Sequence, residues 1–150
     1  MHILFFTNQF PNKDNIAEGI FNWDRAIEMR NKGCKVSVVS IIEKNIFHAI
    51  KNTRPKKIIK GKISIYYLQY PLPPNKIFYF CLHTILYFFI NKKLDDIIGT
   101  EKPDVVVSSW LQPYGTYARY FAKYNLPVYV YAEGSDLFLL PDKYPYQWKF

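Results

Sequence analysis

The sequence predicts an α/β chain, a Rossmann-like doubly wound parallel sheet of strand order about 3-2-1-4-5, as one domain over residues 1–150. Three observations predict it. A strand, a helix and a second strand follow one another in the first 42 residues. Pro103-Asp-Val-Val-Val-Ser-Ser109 has the β-branched centre of an interior parallel strand. Leu126-Pro-Val-Tyr-Val-Tyr-Ala-Glu-Gly-Ser-Asp136 runs from a short apolar, buried-type strand into a glycine and two small polar residues.

The first strand is Ile3-Leu-Phe-Phe-Thr7, which gives way to the polar loop Asn8-Gln-Phe-Pro-Asn-Lys-Asp-Asn15. Glu18-Gly19 opens a helix whose apolar positions are Ile20, Trp23 and Ile27, and Gly33 stops it. Val36–Ile42 is the second strand, completing a βαβ unit. From Lys44 to Lys62 the lysines and Arg54 face no acidic residue, which reads as an irregular basic excursion with a short helix over Ile46–Ile50.

Ile63–Leu68 is the third strand, ended by the prolines of Tyr70-Pro-Leu-Pro-Pro74. A long helix then runs from Asn75 to about Gly99, apolar on every side between Ile77 and Ile90. Such a helix is buried all round or touches something apolar outside the domain. After the fourth strand, Pro103–Ser109, a helix over Tyr114–Tyr124 carries Tyr114, Tyr117, Ala118, Phe121 and Ala122 on one side. Asn125-Leu-Pro127 stops it and begins the fifth strand.

Composition narrows the partners. The chain carries 20 basic against 12 acidic residues, a net charge of +8, which points to an anionic partner. Aromatic residues make up 19% of it, which excludes a disordered chain. Cys34 and Cys81 form no CxxC pair, and His2, His48 and His83 have no metal-ligand spacing, so no bound metal is expected. The apolar run Ile77–Ile90 is shorter than the ~20 residues that span a bilayer. Met1–Phe6 is too short for a secretory signal. Nucleic-acid binding is disfavoured, because the basic residues gather in one loop without interleaved aromatics.

The predicted sheet has its switch point between the first and fourth strands, so the expected crevice is lined by Thr7–Gly19, Ser108–Gly115 and Ala132–Asp136. Gly19 can bring helix N-terminal amides to an anion. There is no GxGxxG or P-loop pattern, which disfavours a nicotinamide dehydrogenase and a P-loop NTPase. Glu133 and Asp136 are carboxylates that can accept sugar hydroxyls or act as a base, with a solvated loop residue and a helix cap as their plain structural readings. Gly134 allows positive φ and close ligand approach, and Ser135 is a second possible cap. Ser108, Ser109, Trp110 and Gln112 suit a polyol, with Trp110 equally readable as core.

With these residues assembled, the chain resembles the N-terminal domain of family-4 glycosyltransferases, the retaining GT-B enzymes. The likeness lies in Asn8-Gln-Phe-Pro followed by Glu18-Gly-Ile-Phe21, and in Ala26-Ile-Glu-Met-Arg-Asn-Lys-Gly33 before Val36-Ser-Val-Val. It continues in Lys102-Pro-Asp-Val-Val-Val107 and Leu126–Asp136, so it covers essentially the whole chain through the order and spacing of motifs. The resemblance implies metal-free transfer of a sugar from a nucleotide sugar to a glycan or lipid-linked acceptor, in cell-surface polysaccharide synthesis. It implies that this domain holds the acceptor while Gly19 approaches the donor diphosphate. Glu133 stands where the family usually carries histidine, beside the reacting sugar.

The family's C-terminal nucleotide-binding domain has no counterpart in these residues, so a further domain or partner chain is expected and the chain alone is expected to be inactive. The aromatic end Tyr144-Pro-Tyr-Gln-Trp-Lys-Phe150 fits an incomplete domain. A cytoplasmic enzyme at the inner face of the plasma membrane, drawn there by the basic excursion, follows from this reading. The alternative is a non-catalytic module that docks a membrane or partner through the Asn75–Ile90 helix.

Overall fold

A computed structural model describes residues 1–13, 15–44, 56–71, 82–110, 115, 118–132 and 134. Its elements are β1 (His2–Thr7), α1 (Ile20–Asn31), β2 (Lys35–Lys44), β3 (Lys56–Lys60), β4 (Ile63–Pro71), α2 (Leu82–Glu101), β5 (Val105–Ser109), α3 (Ala118–Ala122) and β6 (Val128–Tyr131). They form an α/β domain around one six-stranded mixed sheet of order β3-β4-β2-β1-β5-β6. All pairings are parallel except β3 with β4. This arrangement is compatible with a Rossmann-like fold.

The order differs from the expected five-stranded one by β3, which occupies part of the stretch expected to be irregular. Lys60 pairs with Ile63, leaving the two-residue turn Gly61-Lys62, and both turn residues have positive φ, 57° and 62°. That is the type I′ pattern whose twist matches an antiparallel hairpin. The expected short helix over Ile46–Ile50 lies outside the described residues, as does Asn75.

The sheet is covered on both faces. On one, Leu4, Phe6, Val39, Ile41, Tyr66, Leu68 and Val106 pack with Ile90, Leu94, Ile97 and Ile98 of α2 and with Tyr120 and Phe121 of α3. Phe6 meets Phe121 edge-on, with ring centroids 5.7 Å apart. On the other face Ile3, Phe5, Val36, Val38, Ile63, Ile65, Val105 and Val107 pack with Phe10 and Ala26, flanked by Trp23 and Ile27. Alternate residues of each strand feed the two layers, as the period of two requires.

Three faces differ from the sequence expectation. On α1 the buried residues are Asn22 and Ala26, while Ile20 is exposed, because the stripe on the sheet is turned toward the loop after β1. On α3 Tyr120 and Phe121 are buried and Ala122 is exposed. β6 is the edge strand rather than a fully buried one: Tyr129 is 65% exposed and Tyr131 47%.

Candidate functional site

β1 lies between β2 and β5, and the connections leave it in opposite directions, so the switch point falls at the carboxyl ends of β1 and β5. There the sequence places hydroxyl and amide side chains, and the fold buries them. Thr7, Ser109 and Asn22 are fully buried. Ser109 Oγ donates to Thr7 Oγ1 at 2.7 Å, joining residues 102 apart in sequence. Asn22 Nδ2, arriving from α1, donates to Thr7 Oγ1 at 3.0 Å and to the Gln9 carbonyl at 2.7 Å. The Gln9 amide also reaches Thr7 Oγ1, at 3.2 Å. This knot fixes the loop after β1 against α1. Its hydroxyls are engaged with one another, so it positions its surroundings rather than supplying a nucleophile.

Gly19 is the N-cap of α1, with φ 66°. An added Cβ would lie 2.3 Å from the carbonyl carbon and oxygen of Gln9 and 2.7 Å from the Phe10 nitrogen. Glycine is thus required by the chain's own backbone, independently of any ligand. The Gly19 carbonyl accepts from the Asn22 and Trp23 amides at 2.9 and 3.2 Å, starting the helix.

Trp110 follows β5 directly and takes φ 75°, a conformation that costs a bulky residue about 1–3 kcal/mol. Its amide donates to the Tyr131 carbonyl at 3.0 Å, and its half-buried ring packs against the α2–α3 core. A positive charge adjoins the knot. Arg25 Nη1 donates to Asn22 Oδ1 at 3.3 Å, and its guanidinium lies 5.3 Å from the Phe21 ring centroid and 5.4 Å from that of Tyr131. That contact links α1 to β6 across the rim.

Three buried polar atoms near these strand ends have no hydrogen-bond partner: Asn8 Oδ1, Ser40 Oγ and Trp110 Nε1. Ser40 is opposite Thr7 in the β1–β2 register.

Of the expected site residues, Gly19 and Trp110 flank this switch point. Gly134 is exposed beyond β6, with open space around its Cα, and it does not use positive φ. Gln112, Glu133, Ser135 and Asp136 lie outside the described residues. Sequence reading missed Asn22 and named Thr7 only as the start of the expected lining, because the roles of both depend on contacts between distant elements.

A second polar cluster sits near the amino ends of the strands. Glu101, at the end of α2, is 5% exposed. Its carboxylate receives Lys57 Nζ at 2.8 Å, Ser37 Oγ at 3.0 Å, Lys35 Nζ at 3.2 Å and the Tyr66 hydroxyl. Burial pushes this carboxyl up, but the bonds from Lys57, Tyr66, Lys35 and Ser37 outweigh it and hold the pKa at about 2. His2 Nε2 lies 2.8 Å from Ser37 Oγ and 3.8 Å from Glu101 Oε2. Burial, and then Lys35, lower the His2 pKa, favouring the neutral ring. Serine and glutamate approach the same ring nitrogen, so the three do not form a relay of the nucleophile–base–acid kind.

Among the described residues no group of three His, Cys, Asp or Glu side chains could hold a metal ion. Among them, too, no helix is long and apolar enough to cross a membrane. No protein-family model matches the sequence, and no curated protein matches it.

Proposed function

We propose that the chain is the acceptor-binding half of a retaining glycosyltransferase, which moves a sugar from a nucleotide sugar to a glycan or lipid-linked acceptor without a metal. The observation that carries this reading is the set of polar side chains gathered at the β1–β5 switch point. Asn8, Trp110 and Arg25 stand there beside a knot that holds the loop rigid. An amide, an indole N–H and a guanidinium suit a sugar with an anionic attachment. The family resemblance of the surrounding motifs supports the same reading and adds Glu133 as the group beside the reacting sugar. Donor binding then falls to a further domain or partner chain, and the chain alone is inactive.

The test is transfer of labelled sugar, by the full product of the parent gene, from a panel of nucleotide sugars to membrane lipid extract. Label entering the lipid or glycan fraction supports the proposal. No transfer from any donor, by a product that contains a nucleotide-binding domain, sinks it.

One observation favours a second reading, the docking module. Phe88 of α2 is 73% exposed and Phe89 37%, on the helix expected to carry an outward apolar face. Salt-sensitive liposome binding that survives Glu133→Ala and Gly19→Ala would favour it.

A further inference from the structure

Lysines gather at the amino-terminal end of the sheet. His2 faces Lys35 in the β1–β2 register, and Ser37 faces Ser64 in the β2–β4 register, so Lys35 is level with Lys62 just ahead of β4. Lys102 comes just before β5 at the same end, where the Asp104 amide donates to the His2 carbonyl at 2.8 Å. Lys60 closes β3, and Arg30 near the end of α1 donates to the Gly61 carbonyl at 2.7 Å, holding α1 against the hairpin turn. Lys32, Lys35, Lys60, Lys62 and Lys102 are all exposed. Carboxylates answer only some of this charge. Glu28 pairs with Lys32, and buried Glu101 takes Lys35 and Lys57. Among the described residues no carboxylate pairs with Lys60, Lys62 or Lys102.

Two of these lysines stand where the backbone favours another residue. Lys62 and Lys102 take φ 62° and 47°, in the left-handed region that glycine and asparagine enter more readily. Both are exposed, so neither backbone nor core packing accounts for lysine there. What lysine adds is a charge directed at solvent.

The neighbouring groups narrow the partner. Lys60 Nζ lies 4.8 Å from the Trp23 ring centroid and Lys57 Nζ 5.6 Å from that of Tyr66, so these rings are covered rather than offered to a stacking base. Lysine ammoniums act as point charges, which suit the diffuse field of an anionic headgroup layer. Ile59, next to Lys60 in β3, is 70% exposed, an aliphatic group such a layer can take up.

We propose that the amino-terminal end of the sheet docks on an anionic membrane surface, with Lys60, Lys62 and Lys102 against lipid phosphates and Ile59 in the headgroup layer. This surface is separate from exposed Phe88, which lies roughly 20 Å back along α2 at ~1.5 Å per residue. The Thr7–Ser109 cluster is at the other end of β1, about 20 Å away at ~3.3 Å per residue, so docking leaves the switch point facing away from the membrane. The proposal goes beyond sugar transfer and does not depend on it.

The test is co-sedimentation of the full 150-residue chain with phosphatidylcholine vesicles, with and without phosphatidylglycerol. Pelleting is expected with phosphatidylglycerol alone, and is lost in about 1 M sodium chloride, where the Debye length is ~3 Å. Lys62→Asn with Lys102→Asn is expected to weaken binding about fivefold per lysine, roughly 25-fold together. Asparagine suits positive φ, so this variant melts at or above the parent temperature. Lys13→Gln with Lys92→Gln removes the same charge from exposed positions elsewhere and keeps the affinity within about twofold.

No pelleting with phosphatidylglycerol, undiminished binding in the Lys62/Lys102 variant, or an equal loss in the Lys13/Lys92 variant overturns the proposal. Loss in Phe88→Ala with binding kept in the Lys62/Lys102 variant moves the contact to α2 and overturns it too. Duplex DNA held at least as tightly as the vesicles, with the same loss in the Lys62/Lys102 variant, would make this a nucleic-acid surface instead. A clear fall in that variant's melting temperature would show that the two lysines serve the fold, and also sinks the idea.

Discussion

Lys57 Nζ lies 2.8 Å from Glu101 Oε1, tying edge strand β3 to the last turn of α2 across 44 residues of sequence. The lysine is 42% exposed and the carboxylate 3%, so the pair is a surface charge reaching in to a buried one. Burying a carboxylate is costly unless donors surround it, and here four residues do.

Glu101→Gln is therefore expected to lower stability at neutral pH by about 2–3 kcal/mol, since a folded pKa of about 2 against 4.5 unfolded corresponds to roughly 3 kcal/mol. The sign follows from the depressed pKa. The contribution is complete above 4.5 and is lost as pH falls through about 2. Parent and variant urea midpoints should converge over that interval. Curves that stay parallel would show that the carboxylate charge contributes nothing. His2, whose pKa is also lowered, adds destabilisation that begins at milder acidity, below 6.5.

Gly19→Ala combines positive φ with a Cβ placed 2.3 Å from the Gln9 carbonyl. The loop after β1 must move, at a cost of about 2–4 kcal/mol, or very roughly 4–16 °C in melting temperature for a chain of this size. Calorimetry reads it. A shift within 2 °C, on the order of the smallest 1 kcal/mol effect, would show that the loop relaxes freely.

Asn22 and Ser40 are both buried polar residues beside Thr7 at the end of β1, and opposite outcomes are expected. Asn22→Ala removes a buried donor shared by Thr7 Oγ1 and the Gln9 carbonyl and should cost about 1–3 kcal/mol. Ser40→Ala removes a hydroxyl with no partner and should be neutral or stabilising. Denaturant midpoints for the two variants give the comparison, and equal losses would contradict it.

Glu133→Ala is expected to abolish sugar transfer by the full gene product while leaving its melting temperature within about 2 °C, as for a surface substitution. Undiminished turnover would leave Glu133 only a loop role.

Much of this architecture was legible from periodicity. The β-branched centre of Val105–Val107 and the Val36–Val39 run declared interior strands, and the βαβ opening followed from one helix-stop glycine. β3 was obscured because its lysines dominate the composition, while the strand signal lay in Ile58, Ile59 and the Gly61-Lys62 turn. Lysine is what an edge strand carries to discourage pairing with other chains, so the residues that hid the strand suit its position. Asn22 was hidden for a different reason. A polar side chain on a helix reads as solvent-facing until the loop that caps it is in place. Glu101 could not be found at all from spacing, since its partners come from β2, β3 and β4.

The placement of β1 bears on how the chain is made. Its pairing with β2 can form once some forty residues have been synthesised, but its partner on the other side ends at Ser109, and the Thr7–Ser109 bond spans 102 residues. Pairings of such separation are slow to close, and the N-terminal part folds first as a chain leaves the ribosome. The central strand of the sheet therefore waits with one edge open through most of translation. Trp110 comes into position only when that edge is closed, so the Thr7–Ser109 cluster beside it is among the last features to assemble.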